Sequence, residues 1–388
     1  MRKAVLFLFS LTGLCGCLLP RSGASQAPLR PAAWTHVFAQ GFLGDPVVDG
    51  AYACVTFRPE NQQQAVDLYC FDAATGRVLW RQSSVKLAGK RRSNGYLNAD
   101  ATPVLRNGLL LYVAQDDESL RALDVKTGEE RWHSGPVYSF LGATADTVYM
   151  AQASDRRLLL LDFAGRVKGS VEMPISEQTT LIVDGDLLLF REMGGGEVRD
   201  LSAQHLLAKL PPRFEVGRDG IAYLKDDAAQ SVSGWDLRQG KLLWTYRLRE
   251  GRDARAGAQP TLLVDAGRLF VIVPDMDRKR TRLLTIEGKA GTIVADRELA
   301  LGKYPFRYGV VSDGLLYLTR HRDHHFTSGF DGTTDDWVSA FDVASGEERW
   351  QSPAVFEWLQ WPVAAAGSGV FVSANGDQSQ PCRLHAFR

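Results

Sequence analysis

The chain has 388 residues, 45% hydrophobic and 23% charged, with 45 Lys+Arg set against 45 Asp+Glu. That balance supports a packed core and excludes global disorder. A net charge of zero argues against a protein that coats nucleic acid, because phosphates select a basic excess.

Arg2 and Lys3 precede an apolar run from Ala4 to Leu14. The run is too short to span a bilayer and has the length of a secretory signal. It leads into Leu14-Cys15-Gly16-Cys17, which resembles a bacterial lipobox: an aliphatic residue and two small residues before the acylated Cys. The expectation is a lipoprotein signal over 1–16, lipidation at Cys17 and a flexible tether over 17–32. Acyl chains then hold the protein to a membrane without a spanning helix. Leu18 follows the acceptor, and resemblance to sorted lipoproteins implies the outer membrane, facing the periplasm. The alternative is an ordinary cleaved signal with incidental cysteines.

The remainder, 33–388, is a repeat. Asp72-Ala-Ala-Thr-Gly76-Arg-Val-Leu-Trp80, Asp124-Val-Lys-Thr-Gly128-Glu-Glu-Arg-Trp132, Asp236-Leu-Arg-Gln-Gly240-Lys-Leu-Leu-Trp244 and Asp342-Val-Ala-Ser-Gly346-Glu-Glu-Arg-Trp350 share one spacing. Asp bonds backbone amides just ahead of it, and Gly accepts the positive φ that closes a tight hairpin. Trp supplies a large apolar surface for packing one sheet on the next. Weaker copies lead to Gly169, Leu207 and Ala295 in the Trp column. Each hairpin is preceded by another strand pair, so the unit is a four-stranded propeller blade. The last unit ends on Arg383–Arg388 without its Trp strand, whereas Trp34 sits on a strand with no hairpin partner. The expected fold is an all-β, eight-bladed propeller in which the Trp34 strand completes the last blade and removes an open edge. Seven blades follow only if the copy at Leu207 is discarded.

This beat resembles the quinoprotein-like (PQQ-like) propeller repeat over roughly residues 33 to 388. The resemblance implies one of two branches. Quinone-dependent dehydrogenases of the superfamily hold their quinone against Ca²⁺, commonly with a vicinal disulfide; here Cys15, Cys17, Cys54, Cys70 and Cys382 include no adjacent pair. The other branch comprises cofactor-free, lipid-anchored periplasmic scaffolds for outer-membrane protein assembly. The second is expected: no enzyme, no cofactor, envelope proteins as partners, no nucleic acid and a monomeric ring. The alternative is a quinone-dependent oxidoreductase or a propeller that binds a small ligand or carbohydrate.

Cys54 and Cys70 fall on successive strands as candidates for a disulfide in an oxidising periplasm, the alternatives being two buried free thiols, or Cys382 as the partner in a different register. His321, Asp323, His324 and His325, followed by Asp331, Asp335 and Asp336, are transition-metal ligand types. Their spacing matches no closed site, and a solvated loop is expected. Lys90, Arg91, Arg92, Arg249, Arg252, Arg255, Arg278, Lys279 and Arg280 all fall in long connections expected on one face of the ring. That face is the expected partner-binding surface, because function concentrates on loops above a rigid scaffold.

Overall fold

The computed structural model describes residues 27–62, 65–87, 103–137, 139–152, 157–172, 180–192, 195–200, 205–211, 214–226, 229–248, 260–275, 280–301, 306–323, 334–355, 358–360, 362–365, 367, 369–375 and 381–388. These residues form strands and turns, with no helix among them.

The strands make eight antiparallel sheets. Blade 1 spans residues 41–85, and blades 2 to 7 occupy 104–136, 139–172, 180–210, 214–247, 261–299 and 306–351. Blade 8 joins residues 358–387 to the strand Trp34–Val37, which pairs antiparallel with Arg383–Phe387 in the register Trp34↔Ala386. The innermost strand is interrupted in blades 1 and 8, where two short pieces pair with the same second strand. Each blade's innermost strand touches that of the next, and the innermost strand of blade 8 touches that of blade 1. The sheets therefore form a closed ring.

A blade buries its apolar residues against its neighbours. The eight seams each carry a cluster, from Cys54, Leu68, Leu110 and Tyr112 between blades 1 and 2 to Phe38, Phe57, Phe71 and Leu384 between blades 8 and 1. The cluster between blades 3 and 4, around Tyr149, Leu158 and Leu188, is built without tryptophan.

The repeated hairpin explains its residues. Asp72 Oδ1 accepts from the Thr75 amide and hydroxyl, each at 2.9 Å, and its carbonyl accepts from Gly76 N at 2.9 Å. Gly76 and Gly128 have φ of 71° and 75°, in the region that costs Gly little. The Thr75 hydroxyl bond holds the Asp72 carboxyl below its ordinary range, and Arg349 brings that of Asp342 down to about 2.

The tryptophans act between blades. Trp34 donates its indole N–H to the Ala73 carbonyl of blade 1 at 2.9 Å, and Trp80 to Val125 of blade 2 at 2.7 Å. Trp132 does the same to Phe163 of blade 3, and Trp244 to Gly288 of blade 6. The ring lies over the next hairpin's glycine: a Cβ on Gly76 would stand 2.5 Å from Trp34, and one on Gly128 2.8 Å from Trp80. One position corrects the sequence register, and in another blade the Trp-column residue, Ala295 opposite Thr285, keeps its register but is not the one that docks. A bulge puts Ala208 opposite Val198, so Ala208 rather than Leu207 is the equivalent of Trp, and it lies over Gly240. In blade 6 Arg297 does the docking, donating to the Ala344 carbonyl at 2.7 Å and covering Gly346.

Cys54 and Cys70 face each other across the second and third strands of blade 1, with Cα atoms 4.1 Å apart, and form a disulfide. Cys70 is also opposite Trp80, in a column otherwise occupied by the small residues Ala122, Gly234 and Ala340. Cys382 is buried elsewhere, with its sulfur 3.0 Å from the Gly41 carbonyl.

Residues 27–32, expected to belong to the tether, are pinned. Arg30 N donates to the Gln351 carbonyl at 2.8 Å and Gln351 N to the Pro28 carbonyl at 3.1 Å, so this segment runs parallel to the outer edge of blade 7. The Arg30 guanidinium covers the Trp350 ring at 5.4 Å and bonds the Arg388 carbonyl.

Candidate functional site

Antiparallel blades divide the ring into two faces. Tight hairpin turns, between strands one and two and between strands three and four, occupy one face. Connections between strands two and three, and from blade to blade, occupy the other. The long basic segments of the sequence were expected on this second, loop face. Of their residues, Lys90, Arg91, Arg92, Arg249, Arg252, Arg255, Arg278 and Lys279 lie outside the described residues, as do Cys17, His324, His325 and Asp331. Arg280 is not in a loop. It opens the strand Arg280–Glu287 and pairs with Glu298 at 3.2 Å.

The best-built part of the loop face stands over blade 7. Its second and third strands, Leu315–Asp323 and Thr334–Asp342, are the longest in the described chain and continue past the apolar layer. His321 and Asp323 are therefore strand residues, a correction to the loop expected there. Strand alternation puts Leu316, Leu318, Arg320 and Arg322 on one face, opposite Phe341, Ser339, Trp337 and Asp335. Leu316 and Leu318 complete the core shared with blade 6. Arg320, only 4% exposed, continues it. Its guanidinium donates to Ser339 Oγ at 3.3 Å, to Glu348 Oε1 at 3.4 Å and to the Leu301 carbonyl, and lies 4.9 Å from the Trp337 ring centre. Arg322 sits 5.8 Å from the same ring and 3.8 Å from Asp335.

On the other face of these strands, toward blade 8, Asp336 is 1% exposed. It accepts from Arg307 at 3.2 Å and from the Leu359 amide at 2.9 Å, while its backbone exchanges two bonds with Val355. A buried charge persists only when paired and hydrogen-bonded, and both conditions are met. Asp335 and Asp336, which seemed to extend a metal cluster, are thus engaged by arginines. Among the described residues no group of three His, Cys, Asp or Glu is placed to hold a metal ion.

This cluster was not singled out from sequence. Its signal was the alternation Leu316, Leu318, Arg320, Arg322, in which arginine takes over a core-facing register. Chemically it holds the loop-face ends of blades 6, 7 and 8 in fixed relation. Arginines carry a permanent charge and supply no base, so the arrangement suits a rigid platform and not proton transfer.

The turn face is latched differently. Asp49 accepts from Asn107 N at 3.1 Å, Asp184 from Asp219 N at 2.9 Å, Asp219 from Gly267 N at 3.1 Å and Asp313 from Gly367 N at 3.0 Å. Each bond ties a blade's first turn to that of the next blade.

The ring is an eight-bladed β-propeller whose repeat resembles the quinoprotein-like one. Residues 24–204, just under half of the chain, match the family described as outer membrane protein assembly factor BamB. The chain is thus a propeller that resembles BamB over that span. No curated protein matches it. Among solved structures, BamB from Moraxella catarrhalis is 16% identical with a TM-score of 0.44, covering 71% of this chain and 81% of that one. The computationally designed Ika8 protein is 13% identical with a TM-score of 0.55, covering 93% and 99%. The likeness to the designed protein bears on the fold alone.

Proposed function

We propose that the protein is a non-catalytic scaffold of the bacterial cell envelope, anchored by lipid at Cys17 and serving outer-membrane protein assembly. The supporting observation is the match of residues 24–204 to the outer membrane protein assembly factor family. The ring is consistent with it. The Asp, Gly and Trp of the repeat are engaged in hairpins and inter-blade docking, and the most buried charged cluster is engaged in arginine pairs. A rigid ring with long loops on one face, tethered near a membrane, raises its own effective concentration toward membrane partners.

Two measurements test this reading. Labelling with an alkyne palmitate analogue should mark the wild type and miss Cys17→Ser; equal labelling removes the anchor. A photo-crosslinker at Arg92 or Arg255 should capture a component of the β-barrel assembly machinery in membranes, and adding the Arg91→Glu, Arg252→Glu pair should lose it. Capture unchanged by charge reversal moves the contact off the loop face. Dye-linked oxidation of an alcohol or sugar after addition of quinone and Ca²⁺ would refute the scaffold reading.

A further inference from the structure

The outer edge of the ring is not uniform. In blades 2 and 7 the two residues after the hairpin glycine's neighbour are charged, Glu130-Arg131 and Glu348-Arg349. In blades 5 and 6 the corresponding pairs are Leu242-Leu243 and Ile293-Val294, exposed to 51%, 42%, 37% and 50%. Leu206 on blade 4 is 45% exposed and Val167, at the same position of blade 3, is 63% exposed. Six of the ten exposed large hydrophobic residues among those described thus fall on one arc of four consecutive blades. Inter-blade docking makes the arc continuous: Ala208 covers Gly240, which is next to the Leu242 pair, and Trp244 covers Gly291, which is next to the Ile293 pair. Exposed apolar surface gathered in this way marks a contact.

We propose that this arc, on the turn-side rim of blades 3 to 6, rests on an anionic bilayer surface. The inference rests on the lipid anchor proposed above. The position of the tether supports it. Residues 28–30 are bonded to the edge of blade 7, the blade that follows one end of the arc, and Cys17 stands ten residues before Ala27. Even fully extended, that leaves this edge within about 35 Å of the acyl chains. Lys209, Lys241 and Lys289 are exposed along the same rim, the carboxylates Asp296 and Glu298 of the blade 6 edge are paired with Arg282 and Arg280, and lysines at an anionic surface add to apolar burial. Shape selects a plane. The arc runs from blade to blade across the strands, whereas an added peptide strand would cover one edge alone. A second copy pairing antiparallel along Lys241–Arg247 would set Lys241 against Arg247, like charges face to face. Contact is interfacial: the edge amides stay among hydrated headgroups while the side-chain tips enter the acyl boundary.

The test uses the full lipidated chain on vesicles of phosphatidylethanolamine and phosphatidylglycerol, with a nitrobenzoxadiazole probe at Leu242→Cys or at Glu129→Cys on blade 2. Brominated lipid should quench the Leu242 probe by about twofold and leave the Glu129 probe unchanged. If the protein partitions onto vesicles but both probes behave alike, the anchor stands and the rim contact is refuted. If it does not partition, the anchor reading fails and the rim contact with it. Dimerisation by light scattering that Leu242→Glu abolishes would assign the arc to a second copy and overturn the proposal.

Discussion

Two glycines separate backbone strain from steric exclusion. Gly108 and Gly128 have nearly the same φ, 72° and 75°, yet a Cβ on Gly108 meets nothing within 4 Å while one on Gly128 strikes the Trp80 ring at 2.8 Å. Gly108→Ala should therefore cost about 1 kcal/mol, the conformational term alone. Gly128→Ala should cost roughly 2 kcal/mol more, because an overpacked ring must shift. Urea midpoints of the two variants check the difference; equal costs would mean that Trp80 docking contributes nothing. The Asp, Gly and Trp columns were legible because the hairpin that uses them is local, nine residues from Asp124 to Trp132. Ala208 and Arg297 were not. A bulge displaces the first by one position, and the second replaces an indole N–H by a guanidinium two positions further on. Neither exchange leaves a trace in local spacing.

At the scale of strands, blade 1 and blade 8 carry distinct chemistry. The Cys54–Cys70 disulfide links paired strands 16 positions apart, and a loop of that size stabilises by about 3 kcal/mol in the chain-entropy account. Reduction, or Cys54→Ala with Cys70→Ala, should lower the midpoint accordingly. A melting curve unchanged by dithiothreitol would show that blade 1 does not depend on the bridge. The pairing was open in the sequence because Cys382 was a third claimant, and only the register of the sheet removes it. In blade 8, His385 is 7% exposed, opposite Thr35 with Nδ1 3.0 Å from its hydroxyl. Burial, aided by Arg383, lowers its pKa from 6.5 to about 4. The unfolded chain therefore takes up this proton at higher pH than the folded one. Stability from this residue is complete above about pH 6.5 and is lost as pH falls toward 4, by roughly 3 kcal/mol in all. His385→Gln should flatten the stability curve across that window; an unchanged slope would place the acid sensitivity elsewhere.

On the scale of the whole ring, number and order of blades were readable from the Trp columns, and the loop face followed from strand polarity. What occupies that face was not. Asp336 meets Arg307 of its own blade and the Leu359 amide of the next, and no spacing rule connects residue 307 to residue 359. The apolar arc was hidden for a related reason: Val167, Leu242 and Ile293 look like ordinary strand residues until the ring sets their edges side by side.

The pairing of Trp34 with Ala386 joins positions that the chain makes at opposite ends of its synthesis. Contacts of such separation form late, after loop closure across the intervening chain. Seven blades can acquire their hydrogen bonds in the order in which they emerge, but the eighth waits for both of its halves. Until then the outer edge of Arg383–Phe387 and the hairpin at Gly76 lack their partner strand and their indole. The interval just before closure is when the protein is most exposed to strand exchange with a neighbour, and a chaperone acting on it would find its target at that one seam.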